Sequence, residues 1–188
     1  MPGDPAALQL LADVEALGGN LEAAGRAVDA VLARRPDAPR ALLRKGLVEV
    51  ALLERAHVTD RARWTAAREW IRRANAASPD DPMILFEYYR AFEQQGVRPP
   101  PPAVAALERA FELIPQSFDL RQHYARELVR ARRYRSAVNA LAPVAYSAHG
   151  GWRRDAAQRV IDLIRDLSDG AEPPAAALAP PTRPANQR

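Results

Sequence analysis

Apolar residues recur along the chain at intervals of three and four, the spacing that places side chains on one face of an α-helix. Near the N-terminus, Leu8, Leu11 and Ala12 share such a face, and Val28 and Val31 share another in the next segment. Runs of alternating β-branched residues, which would indicate strands, do not occur in the sequence. The pattern therefore predicts an all-α protein of about nine helices, each of three or four turns.

Polar residues mark the expected starts of these helices. Their side chains can accept hydrogen bonds from the free N–H groups of a first helical turn. The candidate capping residues are Asp4, Asp37, Asp60 (or its neighbour Thr59), Asp81 and Ser117. Those at positions 4, 37 and 81 come shortly before a proline, which suits the first helical turn.

Three helical phrases resemble one another: VDAVLARRP (28–36), IRRANAASP (71–79) and LERAFELIP (107–115). Their final prolines are 43 and 36 residues apart, which fits a 34-residue period with insertions of 9 and 2 residues. This pattern resembles the tetratricopeptide repeat (TPR), in which each unit is a helix–turn–helix and neighbouring units share one core. The resemblance covers residues 4–168 and includes four repeats.

Each repeat carries residues at the TPR signature spacing. They include Leu8, Gly19, Ala24 and Pro36; Leu42, Gly46, Ala67 and Pro79; Leu85, Gly96, Ala103 and Pro115; and Tyr124, Ala125, Tyr134 and Ala137. The fourth repeat departs from the pattern, because Arg132 takes the place of the usual turn glycine and Pro143 falls late in the second helix. We expect that helix to be shortened or kinked.

The end of the chain differs from the repeats. Residues 151–168 carry apolar residues at helical spacing, including Trp152, Val160 and Leu163, and they resemble the capping helix of a stacked array. The segment 169–188 is rich in proline and alanine and has few large apolar residues. We expect it to be disordered, because it cannot bury enough surface to offset its ordering entropy.

The resemblance implies a right-handed α-solenoid of four TPR-like hairpins and a capping helix, with the first helix of each repeat lining a groove that binds a peptide or partner protein. We therefore expect a non-catalytic protein-interaction module without a cofactor. Carried over to this sequence, the inward positions of the first helices are Arg40, Leu43, Leu47 and Val50; Met83, Phe86 and Arg90; and Gln122, Arg126 and Val129. Apolar groove anchors and repeat core share one spacing, so these residues can also be core.

Chaperone-binding TPR proteins use a lysine–asparagine clamp on their first helices. The matching positions here hold Gln9, Asp13 and Arg44, so the clamp is absent and binding of a chaperone tail is disfavoured. The two middle repeats would instead offer an apolar channel with arginines that can bind a carboxylate through two hydrogen bonds.

Charge and composition exclude few functions. The 27 basic residues exceed the 23 acidic ones slightly, and Lys45 is the only lysine, which indicates a GC-rich, bacterial genome. The absence of cysteine excludes disulfides and thiolate metal sites. The N-terminus has no basic start and so is not a signal peptide, and no apolar run is long enough for a membrane helix. We expect a cytoplasmic protein, or a periplasmic one if a signal segment precedes this sequence.

The stretch HYARE (123–127) looks like a damaged zinc-protease motif, because His123 and Glu127 lie four residues apart. No second histidine follows, and His57 and His149 lie in separate segments. We therefore expect no metal site. The repeat register instead turns His123 and Glu127 outward as a weak pair and points Arg126 toward the groove.

Two other functions stay open. The phrase APVAYSAHGG (142–151) resembles repeat tails behind peptidase-like domains, so the chain could be the recruiting part of an enzyme whose catalytic domain lies elsewhere. Alternatively, Arg126, Arg130 and Arg133 share one helical stripe that could contact the phosphates of a nucleic acid.

Overall fold

The computed structural model describes residues 4–148, 150–168 and 170–179, and all regular structure in these ranges is helical. The helices are α1 (Pro5–Leu17), α2 (Leu21–Leu32), α3 (Pro39–Arg55), α4 (Arg61–Ala77), α5 (Pro82–Gln94), α6 (Pro101–Leu113), α7 (Phe118–Arg130), α8 (Tyr134–Ala145), α9 (Gly151–Ile164) and the short α10 (Ala175–Leu178). The all-α prediction is confirmed. Within the described ranges, none of these helices has the length and apolar character needed to cross a bilayer.

The chain divides into two units, residues 1–110 and 111–188, with α6 running across the boundary. In unit 1, consecutive helices contact one another from α1 to α5. The odd-numbered helices also contact each other, α1 with α3 and α3 with α5. This is the arrangement expected of stacked helix hairpins. We call the surface formed by α1, α3 and α5 the first-helix face of unit 1.

Small residues allow the helices of unit 1 to approach closely. Ala24, Ala67 and Ala74 are almost completely buried, as the TPR signature spacing predicts for all three. The tightest approach is at Gly46 of α3, where an added Cβ would lie 2.5 Å from Cγ1 of Ile71 and 3.2 Å from its backbone nitrogen. Since backbone atoms limit the space, only glycine fits this crossing of α3 and α4.

The predicted insertion in the second repeat lengthens its helices. Both α3 and α4 have 17 residues, against 13 in α1 and α5. The additional turns bury Leu53 and Trp64, and the Trp64 indole N–H donates to the Val58 carbonyl at 2.7 Å. The inserted residues thus extend the core and are not looped out.

Four of the predicted helix caps are confirmed. The side chains of Asp4, Asp60, Asp81 and Ser117 each accept a hydrogen bond from a backbone N–H of the helix that follows. The prediction for Asp37 is wrong. Ala38 occupies the cap position before α3 and makes no side-chain bond, because Asp37 lies one residue too early.

In unit 2, α8 contacts both α7 and α9. Their shared core includes Ala125, Leu128, Tyr134 and Leu141. Pro143 lies inside α8, which still has 12 residues, as many as α2, so the predicted shortening is wrong. A proline near the end of a helix removes few backbone hydrogen bonds.

The capping helix forms as α9, but its buried face differs slightly from the prediction. Ala157, Ile161 and Ile164 lie in the core, whereas Leu163, one of the expected apolar positions, is 39% exposed. Because the helical period is 3.6 residues, either neighbour of a core position can face inward. The spacing alone therefore did not show which of Leu163 and Ile164 is buried.

Residues 170–179, which belong to the segment expected to be disordered, make contacts with the helices of unit 2. This segment contacts α7 and α9 through α10, and its Ala177 is only 1% exposed. Composition did not indicate these contacts, which are made by backbone hydrogen bonds, by the buried Ala177, and by Ala171 and Leu178 against the same core. Residues 1–3, 149, 169 and 180–188 lie outside the described ranges.

Gly46→Ala and Gly25→Ala form a matched pair that tests the close packing of unit 1. A Cβ at Gly46 would overlap Ile71, so we expect the free energy of unfolding to fall by about 1–3 kcal/mol. A Cβ at Gly25, inside α2, would lie 3.7 Å from Val48, and we expect a gain of about 0.5–1 kcal/mol from the lower entropy of the unfolded chain. Urea denaturation followed by circular dichroism measures both. Equal effects of the two substitutions would contradict the close approach.

Candidate functional site

A cleft of about 200 Å³ opens on the first-helix face of unit 1. It is lined by Ala16, Leu21, Arg44, Leu47, Val48, Ala51, Glu87, Arg90 and Gln94. The lining positions of α3 and of α5 recur at intervals of three and four residues, so one stripe of each helix faces the cleft. The arrangement combines an apolar floor with charged and amide groups, the composition typical of a site that fixes a ligand's orientation.

Asp13 of α1 is the centre of a charged cluster next to the cleft. It is only 7% exposed, and it accepts hydrogen bonds from Arg40 at 2.6 Å, Arg44 at 2.8 Å and Gln9 at 3.2 Å. Burial by itself raises the pKa of the Asp13 carboxyl, but the hydrogen bonds from Arg40, Arg44 and Gln9 and the charge of Arg44 outweigh it and lower the pKa below its usual value. The cluster joins α1 to α3 and holds Arg44 at the edge of the cleft.

A second ion pair lies on the α5 side of the cleft. Glu87 is 7% exposed and accepts a hydrogen bond from Arg90 at 3.0 Å. The Gln94 amide donates to Glu54 of α3 at 3.2 Å. Both cleft arginines therefore have carboxylate partners within the protein. A carboxylate of a bound peptide would have to compete with Asp13 or Glu87 for them.

Some of the residues predicted to line the groove are accessible to solvent. Leu47 and Arg90 line the cleft, Met83 is half-exposed, and the side chain of Arg40 is 74% exposed. Leu43 is half-buried and packs against the core of unit 1. These residues all belong to the first-helix face of unit 1.

The other predicted groove residues are buried and are not available to a partner in this conformation. Val50 and Val129 belong to the cores of units 1 and 2, and Phe86 is 6% exposed. Gln122 and Arg126 are 7% and 8% exposed. Because groove and core positions share one helical spacing, the sequence pattern could not separate these residues from Leu47 and Arg90.

The HYARE stretch lies within α7, and its predicted register needs a correction. Glu127 does not point outward: it is 7% exposed and pairs with Arg130. His123 is half-buried, and its Nδ1 lies 2.6 Å from Nη2 of Arg126. A guanidinium in contact with the imidazole disfavours a bound cation at this position. Across the described ranges, no three His, Cys, Asp or Glu side chains group closely enough to hold a metal ion.

Sequence reasoning did not identify Glu87 and Gln94 as part of the site. Glu87 precedes the predicted Arg90 by three residues and Gln94 follows it by four, so helical spacing alone would have placed both on the same face. His149, which the sequence places in a separate segment from His123, lies outside the described residues.

Solved structures with a similar fold are TPR proteins. A thermophilic TPR protein from Thermus thermophilus matches with a TM-score of 0.65 and 21% identity, over 84% of this chain and 83% of that one. MamA from Desulfovibrio magneticus RS-1 matches with a TM-score of 0.58 and 22% identity, over 76% and 74%. An O-GlcNAc transferase from Thermobaculum terrenum matches with a TM-score of 0.56 and 20% identity, over 73% of this chain but 25% of the enzyme.

These likenesses establish the TPR-type fold that the repeat spacing predicted. No protein-family model matches the sequence, and no curated protein matches it closely enough to count as a relative. At such low identity, structural similarity supports the fold and leaves the function to be argued from the residues themselves.

Asp13→Asn tests the charged cluster beside the cleft. A lowered pKa in the folded state contributes stability above the usual carboxyl pKa, and that contribution disappears as the pH falls through the lowered value. We expect Asp13→Asn to reduce the free energy of unfolding by about 1–3 kcal/mol at pH 7, with the difference from wild type shrinking below about pH 4. Urea denaturation at a series of pH values measures it.

Asp80→Asn is the matched control, because Asp80 also pairs with an arginine, Arg109, but its side chain is 68% exposed. We expect a change below about 1 kcal/mol there. An Asp13→Asn effect that stays constant from pH 7 to pH 3 would show that the ionised carboxylate does not stabilise the fold.

Proposed function

We propose that this protein is a non-catalytic interaction module and that the unit 1 cleft binds a peptide or a segment of a partner protein. The observation that carries the proposal is the open cleft itself, in which Leu47, Val48 and Ala51 form an apolar floor between two arginine–carboxylate pairs. The exposed floor is small, so it suits one inserted side chain and not a broad interface. The cleft is also shaped by the first helices, which line the peptide groove in TPR proteins.

The size and chemistry of the cleft favour one apolar anchor side chain within an extended or helical peptide. A volume of about 200 Å³ accepts a side chain such as leucine or phenylalanine, not a folded domain. The partly exposed guanidinium of Arg90 can bind a backbone carbonyl or a carboxylate next to that anchor. Since Glu87 remains beside it, we expect peptides of low net charge to bind better than strongly acidic ones.

The contacts in α7 do not favour the nucleic-acid alternative. Of the three arginines in the predicted stripe, Arg126 is buried against His123, and Arg130 pairs with the buried Glu127. Only Arg133 of the three is exposed. A phosphate-binding surface needs several cations accessible at once. For the peptidase-tail alternative, no described contact carries a specific argument.

Leu47→Glu tests the cleft with a defined probe. A library of random 16-residue peptides displayed on phage is selected against the full chain, and the selected peptides are synthesised with a fluorophore for anisotropy titration. Leu47→Glu places a charge on the apolar floor, so we expect the affinity to fall at least about 30-fold, with circular dichroism unchanged. Phe86 is unsuitable for such a test, because a charge at its buried position would destabilise the fold.

Leu10→Glu is the matched control, since Leu10 is 63% exposed on α1 and does not line the cleft. We expect it to leave peptide affinity within about twofold of wild type. If Leu10→Glu abolishes binding and Leu47→Glu does not, the outer face of α1 is the binding surface and the proposal is wrong.

A further inference from the structure

The C-terminal segment 170–179 lies against α7, the first helix of the fourth predicted repeat, and against the capping helix α9. Its single helical turn, α10, contacts α7 and α9. Ala177 is buried in the unit 2 core, and Ala171 and Leu178 pack against the same core. This core also contains Val129, one of the predicted groove residues of α7. The chain's own segment therefore packs against the same core as one residue that the repeat pattern assigns to a peptide groove.

Polar contacts attach this segment to the turn between α7 and α8. The Gly170 N–H donates to the Arg132 carbonyl at 3.2 Å, and the Arg132 guanidinium donates to the Gly170 carbonyl at 2.9 Å. Arg132 also forms an ion pair with Glu172, and the Tyr134 hydroxyl donates to the Ala171 carbonyl. Most of these contacts are to backbone groups, as in the binding of an extended peptide.

Arg132 has a backbone conformation that its residue type disfavours. Its φ is 58°, in the left-handed region where glycine is the usual residue and where the TPR signature has a glycine. A non-glycine residue costs free energy there, so its side chain needs a compensating role. The contacts of Arg132 with Gly170 and Glu172 supply that role.

We propose that residues 170–179 are an intramolecular ligand of the α7 and α9 surface, and that this surface binds peptides of the same chemistry in trans when the segment is displaced. The matching partner has an acidic residue, two prolines and a small-residue turn ending in leucine, as in GAEPPAAALA. This is a second binding surface, in unit 2, and it does not depend on the unit 1 cleft.

The segment has the properties of a ligand that can dissociate. The Arg132–Glu172 pair is exposed, with 46% and 82% of the two side chains accessible to solvent. Only Ala177 of the segment is fully buried, and one methyl group contributes little apolar area. Elements with few buried contacts open locally at a small cost relative to global unfolding. Tethering gives the segment a high local concentration, which keeps the surface covered in the intact chain.

Ala177→Asp in the full chain tests the proposal, because a carboxylate cannot enter the core position of Ala177 and the segment is released. The probe is a fluorescent peptide of sequence GAEPPAAALA, titrated by anisotropy. We expect it to bind Ala177→Asp at least about 10-fold more tightly than wild type, in which the tethered segment competes. A peptide carrying the same Ala177→Asp change should not bind. A folded Ala177→Asp protein that does not bind the peptide would overturn the proposal.

Adding Arg132→Gly to Ala177→Asp separates ligand contacts from folding. Glycine fits the left-handed turn without strain and removes only the side chain that contacts the peptide. We expect peptide affinity to fall roughly 3- to 10-fold, the worth of one exposed ion pair and one hydrogen bond, with helicity unchanged. Unchanged affinity would show that the peptide binds elsewhere on the chain.

If Ala177→Asp fails to fold, hydrogen exchange on the wild-type protein tests whether residues 170–179 detach from unit 2. If the segment detaches locally, the Gly170 amide, which donates to the Arg132 carbonyl, should exchange at least about 100-fold faster than the amides in the middle of α8. Exchange of both groups at one rate would show that the segment is an integral part of the unit 2 core, which would contradict the proposal.

Discussion

The close crossing of α3 and α4 at Gly46 is the constraint on which the rest of unit 1 depends. Helix α3 contacts α1, α2, α4 and α5, so its position relative to α4 determines where its opposite stripe lies. That stripe carries Arg44, Leu47 and Ala51 into the cleft. With a larger residue at Gly46, α3 would move away from α4, and the cleft between α1, α3 and α5 would change shape. The turns that lengthen α3 and α4 enlarge this contact and bury Leu53 and Trp64.

The two candidate binding surfaces differ in what lies on them. In unit 1, the first-helix face keeps an open apolar cleft whose arginines are held by Asp13 and Glu87. In unit 2, a segment of the chain itself covers the surface of α7 and α9. Burial of apolar surface stabilises contacts of both kinds. In one case the cover is proposed to be another molecule, and in the other it is the tethered segment.

Much of the fold could be predicted from sequence, because helix periodicity, capping carboxylates and repeat spacing are local or periodic signals. The candidate site was predicted only in part. Helical spacing placed Leu47 and Val50 on the same helix but could not show that Val50 is buried and Leu47 lines a cleft. Burial depends on the neighbouring helices, which no local pattern specifies. The contact of residues 170–179 was missed for a related reason, since Arg132 acts on residues about 40 positions away in sequence.

Mapping a bound peptide by NMR on the isotopically labelled full chain tests the central claim most directly. A selected peptide is added to saturation, and the backbone amide shifts are compared with those of the free protein. The cleft hypothesis predicts that the largest changes occur at Leu47, Ala51 and Arg90, on α3 and α5. Changes confined to α2 and α4, with the cleft amides unaffected, would contradict it and would place the binding surface on the second helices of the repeats.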